Sequence, residues 1–60
     1  MDGYYVELIS GTKSVRYHLP ITPFPGLRLR DRSENDVQWV VETVIFNIAT
    51  DTFTCYCNLT

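Results

Sequence analysis

Few residues in this chain can do chemistry, and they are scattered: one histidine, His18, two cysteines, Cys55 and Cys57, and the lysine of Gly11-Thr12-Lys13-Ser14. Catalysis at His18 needs a nucleophile or acid arranged around it and a pocket that excludes water. Serines, cysteines and carboxylates are present, but none stands at a catalytic spacing from it. Strand alternation turns His18 outward beside Arg16, as a solvated strand histidine. Cys55 and Cys57 stand two apart, on one face of a strand, with too short a loop between them for ordinary disulfide geometry. Two free, partly buried thiols in a reducing compartment are expected. A zinc site would have to recruit both cysteines, His18 and a carboxylate, whereas the usual signature is two close pairs. Gly11-Thr12-Lys13-Ser14 resembles the end of a phosphate-binding loop but lacks the glycine directly before the lysine and a following helix. Asn58-Leu59-Thr60 fits a glycosylation acceptor by chance spacing. The expectation is a protein with no catalytic residues, no metal and no cofactor.

The stretch "LPITPFPGLRLRDR", from Leu19 to Arg32, has the character of a recognition surface. Arg28, Arg30 and Arg32 lie two apart. A strand continuing through Asp31 would aim all three guanidiniums the same way over about 13 Å. Such a stripe suits phosphates or an acidic protein surface, because arginine makes bidentate contacts. The competing account is a solvated face neutralised by Asp31, Glu34 and Asp36. Ile21 and Phe24 sit in a loop stiffened by Pro20, Pro23 and Pro25. They either cap an open barrel end or stand exposed as an anchor whose ordering entropy the prolines have already reduced. Pro20-Ile21-Thr22-Pro23 has the spacing of a polyproline ligand without its basic flanking residue. Tyr5 and Tyr56 extend the candidate surface, since aromatic residues and arginine are enriched in binding hot spots. Trp39 is read as core.

Period-two alternation places these residues on strands, and no segment sustains a capped 3.6 period. Tyr4 to Ile9 and Ser14 to Leu19 form a hairpin around Ser10-Gly11-Thr12-Lys13. The prolines then exclude ladder pairing at their own nitrogens, and Pro25-Gly26 ends the loop. Leu27 to Arg30 is a short third strand. The run from Val37 to Ala49 changes phase: Val37, Trp39 and Val41 share one face, and Val44, Phe46 and Ile48 the other. A bulge or bend near Glu42-Thr43 would turn both sets toward one core. A turn at 49–52 leads into a last strand with Phe53, Cys55, Cys57 and Leu59 on one face. The expected fold is all-β: residues 1–60 as a single domain, a small five-stranded antiparallel barrel of the Src-homology-3 type. An oligonucleotide-binding barrel and an edge-paired dimer are the alternatives.

Composition supports one small globular unit: 60 residues, 45% hydrophobic and 20% charged, with a net charge of -2. A chain this short buries only about 60% of its unfolded surface, so a curled sheet with one core suits it. The net negative charge offers no global attraction to nucleic acid or anionic lipid. The first residues lack a signal-peptide pattern, and no apolar run approaches the ~18 residues of a membrane span. A cytoplasmic location with no membrane partner is expected.

With its "PFPG" turn at residues 23–26, its "WVVETVIFN" strand at residues 39–47 and no targeting signal, the chain resembles the short β-rich accessory proteins of bacteriophages and prophages. The resemblance rests on general character and carries no site residues across. It implies a non-catalytic protein of the host cytoplasm that docks onto a host or viral protein as inhibitor or adaptor. Together with the residue pattern, it makes Ile21, Phe24, Arg28, Arg30, Arg32, Tyr5 and Tyr56 the candidate partner-binding set. Single-stranded nucleic-acid binding ranks second, and a homo-oligomer formed by edge-strand pairing third.

Overall fold

The computed structural model describes residues 3–31 and 37–60. These residues form five strands and no helix: β1 (Tyr4–Ser10), β2 (Lys13–Leu19), β3 (Arg28–Asp31), β4 (Val37–Asn47) and β5 (Thr52–Leu59). The strands make one sheet in the order β2-β1-β5-β4-β3, curled into a half-barrel. The all-β expectation therefore holds. Three of the four ladders are antiparallel, and the fourth, β1 with β5, is parallel: Val6 lies opposite Phe53 and Leu8 opposite Cys55. A five-strand circuit that reverses at every connection makes its first and last strands point the same way. Joining them closes the middle of the sheet and leaves β2 and β3 as its two edges.

Local chemistry sets the turns. Gly11 has φ +61° while Thr12 has no positive φ, the pattern of a two-residue type II′ turn, whose twist matches that of the strands it joins. Pro25-Gly26 fills the centre of a type II turn. Gly26 has φ +95°, and the Leu27 N–H donates to the Phe24 carbonyl at 3.1 Å. Between β4 and β5, the Asp51 N–H donates to the Asn47 carbonyl at 2.8 Å. Asp51 itself takes φ 59°, a conformation that a short polar side chain tolerates.

The phase change in β4 is accommodated by a bulge. Val41 pairs with Cys57 and Thr43 with Tyr56, so Glu42 has no residue opposite it. Its carboxylate instead accepts a hydrogen bond from the Asn58 amide. One extra residue restores the phase, so Trp39 and Val41 before the bulge and Val44 after it face the same interior. The fully buried core is Val6 and Leu8 of β1, Trp39 and Val41 of β4, and Cys55 and Cys57 of β5. Val15, Tyr17, Leu19, Leu27, Leu29, Val37, Val44 and Phe53 pack around it half-buried. The Lys13 ammonium lies 6.0 Å from the Trp39 ring centroid, within reach of a cation–π contact.

The interior alternation does not extend to the end of the 37–49 run. Phe46 is half-exposed and Ile48 is 85% exposed. β4 stops at Asn47, and the turn that follows carries Ile48 away from the sheet before alternation can place it.

Candidate functional site

The loop between β2 and β3 is held to the body of the protein at several points. Pro23 is buried, so the proline-rich segment is pinned at its centre and does not stand wholly off the sheet. At its far end the Gly26 N–H donates to the Val41 carbonyl at 2.8 Å, and the Val41 N–H donates to the Leu27 carbonyl at 2.9 Å. The turn is thereby stitched to β4 next to the bulge. Ile21 (47% exposed) and Phe24 (50% exposed) flank the buried proline. Of the two expectations for these side chains, exposure is the one met. Apolar groups on a backbone this constrained lose little further freedom when a partner covers them.

Arg28 and Arg30 follow on β3 with exposed side chains, while Leu29 between them turns inward. Arg32 lies outside the described residues, so the ridge is seen for two arginines. Tyr5 and Tyr56 are exposed on the outer faces of β1 and β5, Tyr5 with its ring 4.8 Å from that of His18. The fold does not gather all the candidate residues into one patch. The loop and the arginines adjoin, but β4 separates Tyr56 from β3, and both β4 and β5 separate Tyr5 from it. At about 4.8 Å per strand, Tyr5 stands roughly 14 Å from the ridge measured across the sheet. Tyr5 instead walls a mixed polar and apolar basin of about 380 Å³ together with Glu7, Arg16 and the threonines of β5.

Sequence reasoning missed two features. The first is a slot of about 130 Å³ at the opening of the half-barrel, lined by Leu8, Tyr17, Leu19, Leu29, Arg30 and Trp39. It lies between the edge strands, and nothing in a linear reading says that residues 17–19 and 29–30 face each other across a gap. The second is the segregation of charge. Lys13, Arg16, Arg28 and Arg30 all lie on β2 and β3, and β1, β4 and β5 carry no lysine or arginine. This signal was present in the sequence as a run of cations confined to residues 13–32, but it acquires meaning only once those strands are known to be the edges.

The nucleophile candidates are held in their unreactive forms. Burial, reinforced by the neighbouring Cys57, pushes the Cys55 thiol from its ordinary 9.0 up to about 11. Burial also raises Cys57, against a lowering by its hydrogen bond from the Ile9 backbone. Both cysteines are free and buried, and at neutral pH they remain thiols that pack as small apolar groups. His18 is engaged with Tyr5 on the outer face, away from either cysteine. Among the described residues no three His, Cys, Asp or Glu side chains converge as a metal site would require, and no helix is long and apolar enough to cross a membrane. The chain matches no known protein family, no curated protein and no solved structure.

Proposed function

We propose that this chain is a non-catalytic protein-binding module that docks through the loop at residues 21–26 and the arginines that follow it. One observation carries the proposal: Ile21 and Phe24 are half-exposed on a segment fixed by a buried proline and a hydrogen-bonded type II turn, directly beside the outward Arg28 and Arg30. An apolar knob next to a cationic ridge is the composition of a binding hot spot. The resemblance to phage accessory proteins supports a more specific form of this reading, an inhibitor or adaptor that occupies a surface of a host or viral complex in the cytoplasm. Single-stranded nucleic-acid binding has the exposed Tyr5–His18 pair beside Arg16 in its favour and the net charge of -2 against it.

The test combines Phe24→Asp with Arg30→Glu. Both side chains are exposed, so the thermal melt should move little, within what about 0.5 kcal/mol of stability change produces. Partner capture from the native host, read by quantitative mass spectrometry against the unmodified chain, should be lost. Undiminished capture by the double variant would place the contact elsewhere on the molecule.

A further inference from the structure

The edge of β2 is a built acceptor for another strand. Among the described residues β2 is paired only with β1. The two-residue turn makes Ser10 and Lys13 a doubly hydrogen-bonded pair, and the ladder alternates from there through Leu8–Val15, Val6–Tyr17 and Tyr4–Leu19. The backbone groups of Ser14, Arg16 and His18 therefore point away from β1, toward the opening of the half-barrel. Across that opening stands β3, and between the two edges lies the apolar slot over Trp39. Its roughly 130 Å³ is smaller than the cavities that hold free ligands and suits a single aliphatic side chain. On the outer side, Arg16 and His18 flank the opening from β2, and Arg28 and Arg30 flank it from β3.

We propose that the partner contributes an extended acidic peptide segment, which adds to the β2 edge as a further strand and spans the opening toward β3. The proposal rests on the protein-binding reading and gives it a mode and a chemistry. Successive side chains of an added strand alternate between the two faces of the sheet. The inward ones meet the slot, whose lining is Leu8, Tyr17, Leu19, Leu29 and Trp39 with Arg30 as its one charged member, so they are predominantly apolar. The outward ones meet the cations, so they must be Asp or Glu. The recognised segment thus alternates acidic and apolar residues. Glu7, opposite Arg16 on the ladder, accepts a hydrogen bond from the Ser14 hydroxyl at 2.9 Å. That carboxylate offsets part of the charge on β2. Nucleic acid fits less well: Trp39 is 1% exposed and presents no face for stacking.

The experiment uses a fluorescein-labelled peptide, Asp-Leu-Glu-Val-Asp-Ile-Glu, titrated against the whole chain by anisotropy, with amide hydrogen exchange followed by NMR. Binding should slow exchange at Ser14, Arg16 and His18, whose N–H groups the added strand would cover. A peptide of the same composition with its acidic and apolar residues in separate blocks should bind at least ~10-fold more weakly. Arg16→Gln keeps the edge N–H and should cost about 2–5-fold in affinity. Arg16→Pro removes an N–H that the β1 ladder does not use, and it should abolish binding. The exchange pattern of the unmodified chain decides the matter even if the proline variant fails to fold. Equal binding of the two peptides, or no protection at the three amides, would overturn strand addition. Tighter competition by a thymidine decanucleotide, or protection of these amides by protein concentration alone, would overturn it in favour of nucleic acid or a second copy. If peptide binding fails while the Phe24→Asp/Arg30→Glu variant still loses its partner, only the mode is wrong and the protein-binding reading stands.

Discussion

The three inner strands and the two edge strands of this sheet carry opposite kinds of residue. All six core residues lie on β1, β4 and β5, while all the lysine and arginine of the described strands lies on β2 and β3, where residues 13–19 and 28–30 include no fully buried side chain. The inner strands have neighbours on both sides and a covered inner face, so apolar side chains there lose the most contact with water. The edges keep one backbone side and one face open, where long charged side chains remain solvated and discourage indiscriminate pairing with other chains. In a chain of 60 residues there is no spare layer in which to keep apolar and charged residues apart. The separation is made within one sheet, from its centre to its rims.

The most severe test of the inner region is a change of phase. Deleting Val40 turns Val41 outward. If the bulge closes, Glu42 is driven into the core; if the bulge stays, all of β4 beyond it moves to the wrong face. Either way cooperative unfolding should be abolished. Deleting Glu42, two positions on, removes only the bulge residue and leaves Trp39, Val41 and Val44 facing inward, so a cooperative urea transition should survive. If both deletions behave alike, the bulge is not what reconciles the two halves of β4. Next in size is truncation. Trp39→Ala, at a site 1% exposed, should cost about 3–5 kcal/mol, close to the entire stability of so small a domain. Leu29→Ala on the edge strand, where the side chain is only half-buried, should cost about 1 kcal/mol. Equal losses in chemical denaturation would contradict the division between centre and rim.

A smaller effect separates the regions by pH. Cys55 is raised to about 11 in the folded chain, from an ordinary 9.0 that the unfolded chain should retain. Its neutral form is the one favoured by folding, so the associated stability is complete below about pH 9 and is lost as pH rises toward 11. The loss should be on the order of 2 kcal/mol, read from the urea midpoint across that interval. Cys55→Val should flatten most of this slope and leave the part due to Cys57. A slope unchanged by that substitution would mean that the thiol is not as well shielded as its place on an inner strand implies.

Much of the architecture was legible in the residues themselves, because strand alternation, turn chemistry and bulges are governed by local backbone sterics. Gly11 marks the hairpin, and Pro25-Gly26 marks the end of the loop. The switch of apolar phase between Val41 and Val44 announces the extra residue at Glu42. The candidate site was legible only in part. Exposure of Ile21 and Phe24 depended on whether the loop folded over the barrel end, and that was settled by the burial of Pro23 and the stitching of Gly26 and Leu27 to β4. The outward escape of Ile48 depended on where β4 stopped.

What the sequence alone determined, then, is the set of strands, the turns between them and the faces that must be buried. Each of these follows from neighbours a few residues apart along the chain. Only the tertiary structure decided that Val6 lies beside Phe53, and hence that β1 and β5 close the centre while β2 and β3 are left at the rims. Pairing between segments at opposite ends of a chain is selected by the burial of a shared interior, and no local pattern encodes it. The same selection opened the apolar slot and set the cations on either side of it.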